Sequence, residues 1–225
     1  MKKVIVAGSE GLIGKEVLKY LNNENYECIS LDLSLGHDLR EERFVNSFFK
    51  ENKANSLVNL FALNHHIEEG NSGKNLFNIS LDSFRNFMEV NLTSLFSTCR
   101  SFAKYNEEGS IVNFSSTYGI VSPRLDLYEN EEKHIGYSVS KSGVIGLSKH
   151  LSVHLAPRIR VNTVIPGGVL NQQSKDFLKA YEKNTPMGRM MNVKELCGIV
   201  EFLISDKSSY MTGSEIKIDG GWTAW

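Results

Sequence analysis

Apolar positions along this chain fall into two rhythms. Short runs rich in β-branched residues, Lys3 to Ala7, Tyr26 to Leu31, Ser56 to Ala62, Gly109 to Phe114, Arg158 to Ile165 and Glu215 to Ile218, read as strands. Between them apolar residues recur at three- and four-residue steps, the period of an amphipathic helix. That period predicts helices from Gly14 through Leu21, over Arg40 to Glu51, over Leu81 to Tyr105, around Tyr137 and from Val193 to Ser205. Strand and helix alternate throughout, which predicts an α/β fold: a single-domain, Rossmann-like doubly wound parallel sheet spanning 1–225. Leu170 to Arg189 shows no clear period and reads as a polar, mobile segment.

The longest helical stretch carries Phe84, Phe87, Met88, Leu92, Leu95, Phe96, Cys99 and Phe102 on one broad face, with Asn91 inside it. A buried amide needs partners, so Asn91 is expected to satisfy backbone groups or to order water.

Composition narrows the function classes. With 225 residues, 41% of them hydrophobic, the chain can bury one substantial core. A net charge of -1 with dispersed basic residues gives no nucleic-acid footprint and no membrane-binding surface. No apolar run reaches the roughly 18 residues of a membrane span. Met1-Lys2-Lys3 runs into a short strand rather than a signal-peptide core, so the expected location is cytoplasmic. Cys28, Cys99 and Cys197 are scattered in apolar patterns, as buried free thiols are. His65 with His66, and His150 with His154, lack an acid or Cys at metal spacing, so no metal site is expected.

The chemistry starts at the N-terminus, where a strand runs into Gly8-Ser9-Glu10-Gly11-Leu12-Ile13-Gly14 and then a helix. Gly8 permits a tight turn, Gly11 lets a diphosphate approach the backbone, and Gly14 lets helix pack on strand, with the helix amides facing the phosphates. The plainer reading is an ordinary glycine-rich connection. The second strand ends at Asp32, eighteen residues beyond Gly14, where a carboxylate can accept from ribose hydroxyls and repel a 2′-phosphate. Glu10 adds to that repulsion and neither Ser9 nor Leu33 is basic, so NAD is favoured over NADP.

Tyr137 and Lys141 stand four residues apart and, on a helix, lie one above the other. A cation there favours phenolate, lowering an ordinary tyrosine pKa of about 10 toward the range useful to a general acid/base. Alone, the spacing also fits a solvated helix face. Its weight comes from Ser115-Ser116-Thr117, hydroxyls at the C-terminal end of a predicted strand, where open parallel sheets bind ligands.

Taken in order, the glycine turn, Asp32, Asn91, Val112-Asn113-Phe114-Ser115-Ser116, Tyr137-x-x-x-Lys141, Pro166-Gly167 and Met211-Thr212-Gly213 to Asp219-Gly220-Gly221-Trp222 resemble the short-chain dehydrogenase/reductase family over essentially the whole chain. The resemblance implies an NAD(P)-dependent dehydrogenase or reductase acting on CH-OH groups. Its catalytic set transfers to Asn91, Ser116, Tyr137 and Lys141. Tyr137 would exchange a proton with the substrate oxygen, and Ser116 would hydrogen-bond that oxygen. Lys141 would depress the tyrosine pKa and hold the nicotinamide ribose, and Asn91 would anchor a proton-relaying water. Implied cofactor contacts are Gly8, Glu10, Gly11, Leu12, Ile13, Asp32, Asp38, Leu39, Phe61, Ala62, Tyr137, Lys141, Pro166, Gly167 and Val169, with NAD as the cofactor.

The chain departs from the family in four places. Its glycine pattern is G-x-x-G-x-x-G, the spacing of extended members, rather than G-x-x-x-G-x-G. Asn59-Leu60-Phe61-Ala62 stands where Asn-Asn-Ala-Gly is usual, which leaves the family's polar bracing of the central strands open. Only five residues separate Asp32 from Asp38, too few for a helix and another strand, which predicts six strands, or seven with a shortened edge. The loop between Ser116 and Tyr137 is long and polar, with Arg124, Asp126, Tyr128, Glu129 and Lys133.

That polarity points to a polar substrate such as a sugar or sugar derivative, met by Asn64, His65, Ser116, Tyr118, Arg124 and Tyr137, with Arg124 able to pair with a phosphate or carboxylate. Alternative readings are an NAD-retaining epimerase or dehydratase, hinted at by the glycine spacing, and a non-catalytic NAD-sensing module. The resemblance also implies a homodimer or homotetramer, with Trp222 and Trp225 suited to an interface or a lid.

Overall fold

Along the first strand alternate side chains enter different layers: Val4 and Val6 pack on one side of the sheet, Ile5 and Ala7 on the other, all fully buried. A strand buried on both faces belongs to a sheet covered by helices on both sides. The computed structural model, which describes residues 1–67, 75–128 and 132–225, has that architecture. Its strands are β1 (Lys3–Ala7), β2 (Glu27–Leu31), β3 (Ser56–Asn59), β4 (Gly109–Phe114), β5 (Ile159–Pro166) and β6 (Glu215–Ile218). They form a six-stranded sheet in the order β2-β1-β3-β4-β5-β6, and every neighbouring pair is parallel.

The helices are α1 (Leu12–Asn23), α2 (Glu42–Glu51), α3 (Leu81–Met88), α4 (Ser94–Tyr105), α5 (Ile135–Leu155), α6 (Lys175–Lys183) and α7 (Cys197–Ile204). Residues of α2, α4 and α5 cover one face of the sheet through Phe49, Phe102 and Val144, and residues of α1 and α7 cover the other through Val17, Leu21 and Leu203. Among the described residues no helix is long and apolar enough to cross a membrane.

Three local features differ from the sequence pattern, and a fourth, the short connection after β2, matches it. β3 stops at Asn59, so Leu60 to Ala62 form the turn above its end. The 81–105 helix is interrupted by a π-helical turn, Glu89–Thr93, which accommodates Asn91. The segment expected to lack structure contains α6, started by Ser174, whose hydroxyl accepts from Phe177 N. Between β2 and α2 the chain makes only a short 3-10 turn, Leu33–Leu35, closed by Gly36 in the left-handed region at φ 84°, and β2 remains an edge. Glu129 lies outside the described residues.

Candidate active site

All the strands point their C-terminal ends to one edge, and the predicted site residues gather along it. At the β1 end the turn is held by backbone proximity. Gly8 has φ 84°, and a Cβ there would lie 2.5 Å from Phe61 N; one on Gly14 would lie 2.1 Å from Gly8 O. Both positions therefore need glycine for close packing, and Gly11 serves as the N-cap of α1 without a side-chain hydrogen bond. The start of α1 is thus uncapped by side chains, with Leu12 exposed and Ile13 partly buried beside it. Ser9 Oγ is buried in the same turn with no hydrogen-bond partner. Uncapped helix amides and an orphaned hydroxyl fit a dinucleotide diphosphate.

Asp32 Oδ2 accepts from Glu10 N at 3.0 Å, tying the end of β2 to the glycine turn, while Oδ1 accepts from Ser34 N and Ser34 Oγ. Burial would raise the Asp32 carboxyl, but the hydrogen bonds from Ser34 and Glu10 outweigh it and hold the group below its ordinary value. It is therefore an anion at neutral pH. Glu10 itself pairs with Lys15 at 3.7 Å. Asp38 is gripped by Arg40 in a fork, 2.9 Å from Nε and 2.6 Å from Nη2, and Leu39 is buried in the core beside Val45 and Phe49. Phe61 and Ala62 lie partly buried in the turn that closes on Gly8.

At the β4 end the site is made of side chains. Ser116 follows β4 and caps a short turn, accepting from Tyr118 N at 3.2 Å. Its hydroxyl acts on the Tyr137 phenol, which α5 carries over the strand end. Lys141, one turn further, is buried and donates to Phe114 O at 2.8 Å. Its Nζ lies 5.9 Å from the centre of the Tyr137 ring.

The acidity at this centre corrects the sequence expectation. Burial pushes the Tyr137 phenol up, the Ser116 hydrogen bond pulls it down, and the nearby Tyr128 phenol pushes it up again, with a raised pKa as the result. Burial also draws Lys141 down from 10.5 to about 8. The lysine charge is spent on a backbone carbonyl, so it does not outweigh the desolvation of the phenol.

Asn91 braces the site rather than facing it. Its Oδ1 accepts from Leu63 N at 2.7 Å, and its Nδ2 donates to Leu63 O at 3.1 Å and Ser140 Oγ at 3.0 Å. One amide thereby fixes the turn after β3 against α5. The bracing that the Asn59-Leu60-Phe61-Ala62 sequence left open is also present: Asn59 Nδ2 donates to Asn113 Oδ1 at 2.8 Å, and Asn113 Nδ2 to Ser148 Oγ at 2.9 Å.

The residues expected to meet substrate divide into two groups. Tyr118 reaches into the site, its hydroxyl 2.9 Å from that of Tyr128. Asn64 is exposed at the rim, where its carbonyl oxygen accepts from Lys133 Nζ at 3.2 Å. His65 is turned away, with Nδ1 donating to His66 O and its ring 4.6 Å from Phe87. Arg124 lies on the exposed side of the loop with its fork closed on Asp126, 3.1 and 3.0 Å away. Pro166 ends β5 buried; Gly167 N donates to Ile218 O at 2.8 Å, and Val169 bridges to Met191.

An aromatic wall stands beside the site, and little in the local pattern of the chain signals it. His66 meets Tyr128 at 5.2 Å, Tyr128 meets Phe177 at 5.7 Å, Phe177 meets Tyr181 at 6.1 Å, and Tyr181 stacks on Trp222 at 4.6 Å. Tyr181 also accepts from Gly168 N at 2.7 Å, anchoring α6 to the turn after β5. Aromatic residues four apart in Phe177 and Tyr181 are the signal that could have located α6. A cavity of about 540 Å³ opens behind this wall between Gly168, Tyr181, Met187 and Asp219. Its lining stops short of Ser116 and Tyr137, so it adjoins the reacting centre without containing it. Among the described residues no three His, Cys, Asp or Glu side chains are grouped to hold a metal ion.

Comparison with known proteins gives the same picture over nearly the full length. A family model described as enoyl-(acyl carrier protein) reductase matches residues 16–223. The post-translational flagellin modification protein A of Campylobacter coli is 28% identical, with 98% of each chain covered. A 3-oxoacyl-[acyl-carrier-protein] reductase of Chlamydia pneumoniae is 30% identical over 99% of this chain and 97% of the relative. Among solved structures, a short chain dehydrogenase from Leptospira borgpetersenii with bound NAD+ superposes with a TM-score of 0.83 at 29% identity, covering 99% of this chain and 92% of that one. With the Ser116, Tyr137 and Lys141 constellation standing over the strand ends, the chain belongs to the short-chain dehydrogenase/reductase family.

Proposed function

We propose that this protein is an NAD(H)-dependent oxidoreductase that interconverts a secondary alcohol and a ketone on a hydroxyl-rich substrate such as a sugar or sugar derivative. The observation that carries the reading is the assembly of Ser116, Tyr137 and Lys141 above the C-terminal ends of β4 and β5. Gly8, Gly11 and Asp32 would hold an NAD dinucleotide, with Pro166 and Gly167 at its nicotinamide end, and the cofactor would supply hydride-transfer chemistry there.

The chain's own residues handle the proton and the geometry. Ser116 Oγ fixes the substrate oxygen by a hydrogen bond and steadies charge that develops on it. Tyr137 Oη takes the hydroxyl proton in oxidation or returns one in reduction. Lys141 holds the floor of the site through Phe114 O, and Asn91 fixes the wall opposite through Leu63. NAD is the expected partner because the Asp32 carboxylate, kept ionised by its hydrogen bonds, repels a 2′-phosphate.

The substrate class rests on the outer wall. Phenol hydroxyls on Tyr118 and Tyr128 offer hydrogen bonds, while the flat faces of Tyr128, Phe177 and Tyr181 suit the C-H faces of a sugar ring. We also propose a homodimer or homotetramer, because Phe96 of α4 and Val139 and Val153 of α5 are exposed apolar residues on neighbouring helices. Calorimetric titration with NAD and NADP, followed by NADH absorbance with polyols, aldoses and keto acids, tests the reading. NAD binding with turnover of at least one polyol supports it. Tight NAD binding with no turnover across the panel would remove the enzyme reading in favour of a sensor.

A further inference from the structure

Lys133 brings a second ammonium to the phenol at the centre of the site. The chain returning toward α5 runs antiparallel to the segment after β3, with His66 bridged to Lys133 and Ile67 N donating to Glu132 O at 3.1 Å. Lys133 Nζ donates to both the carbonyl and the side-chain oxygen of Asn64. That anchorage leaves Nζ 4.8 Å from the centre of the Tyr137 ring, nearer than Lys141 at 5.9 Å.

The two lysines are differently placed. Lys141 is buried and bonded to Phe114 O, and burial brings it to about 8, so its charge fades over the pH range in which an ordinary phenol begins to ionise. Lys133 is only partly buried, at the rim, where water still solvates an ammonium. Among the described residues, the Ser116 hydroxyl favours the Tyr137 phenolate and the Tyr128 phenol opposes it. A cation on the ring face is attracted by the π cloud, and the attraction grows when ionisation spreads negative charge into the ring.

We propose that Lys133 is a positioning residue for acid–base chemistry at Tyr137, its ammonium fixed over the ring by Asn64 so that phenolate is stabilised more than phenol. Its use in turnover rests on the dehydrogenase reading above; the coupling between the two side chains does not.

The test is a pH titration of the intact chain with 13C-labelled tyrosine followed by NMR, the Tyr137 resonance being identified by its loss in Tyr137→Phe. In Lys133→Met the Tyr137 midpoint rises by about 0.4 to 1.5 pH units, roughly a 2.5- to 30-fold gain in proton affinity. Lys133→Arg keeps the wild-type midpoint. Lys133→Gln, which removes the charge but keeps a polar head for Asn64, moves it the same way, and it decides the matter if Lys133→Met does not fold. An unmoved midpoint in the folded Lys133→Met or Lys133→Gln protein overturns the proposal, as does a wild-type Tyr137 still wholly neutral at about pH 11.5. A protein that shows the shift but oxidises no alcohol keeps this inference and loses the functional one.

Discussion

At the β1 and β2 end of the strand edge the site is a backbone object, whereas at the β4 and β5 end it is built from side chains. The nucleotide end consists of a glycine turn pressed against Leu60 and Phe61, uncapped helix amides and one carboxylate tied to Glu10 N. The catalytic end is a chain of hydrogen bonds from Asn59 through Asn113 to Ser148, with further bonds from Ser115 Oγ and Lys141 Nζ to backbone carbonyls. The first end has only a short 3-10 turn between Asp32 and Asp38, with β2 left as the edge of the sheet. Recognising a diphosphate tolerates so short a connection because main-chain amides do the work. Proton transfer needs side-chain atoms held within tenths of an ångström, and there the packing is dense and cross-braced.

Substitutions at the two ends should therefore fail in different ways. Tyr137→Phe removes the proton-carrying hydroxyl at the β4 end and leaves the ring in place, so kcat falls about 10²- to 10⁴-fold while NAD affinity stays within about twofold, by NADH absorbance and calorimetry. Equal losses in both would merge the two ends into one functional unit. Gly14→Ala strikes the other end: its methyl group meets Gly8 O and the backbone of Ser9, so stability drops by about 1–3 kcal/mol in guanidinium unfolding and NAD binding weakens with it.

Lys141→Met sharpens the contrast through pH. Lys141 sits near 8 in the fold against 10.5 when exposed, so between those values the unfolded chain holds more protons and wild-type stability rises with pH. Below 8 the cost of burying the charge is carried in full. The variant has no such dependence, so the difference in melting temperature, variant minus wild type, is largest at pH 7 and shrinks steadily toward pH 10.5. A difference that stays constant from pH 7 to 10.5 would show that this lysine is not burdened by burial. The smallest effect belongs to Arg124→Ala, since its guanidinium is closed on Asp126 at the exposed rim; turnover with polyols is expected to stay within about twofold.

Much of this molecule was legible because its periodicities are local. β1, β4 and β6 carry their own boundaries in β-branched runs, and Asn91 stood out as an amide inside an apolar stripe. Asp32 and the glycine turn were readable because strand, turn and helix follow one another within the chain. The contacts that set the chemistry were not, because they join residues far apart in sequence. Lys133 reaches Tyr137 from a loop whose path depends on Asn64, and Trp222 stacks on Tyr181 across the turns after α6 and β6. The direction of the Tyr137 shift also depends on burial, which no spacing rule reports. α6 was missed because its polar face dominates its composition and its apolar residues meet a partner from another part of the fold.

The π turn at Glu89–Thr93 makes one helix into two with separate angular phases. An α-helix advances about 100° per residue, so the extra residue sets the faces of α3 and α4 out of step with a single helical wheel. A turn of this kind absorbs one residue as a bulge, so Phe87 before it and Leu95 and Phe102 after it keep the faces that a continuous α-helix one residue shorter would give them, and the surplus is taken up where Asn91 aims at Leu63. Deleting one residue there therefore closes the turn into regular α-helix and leaves the packed faces in place, so its cost falls on the Asn91 bracing and not on the core.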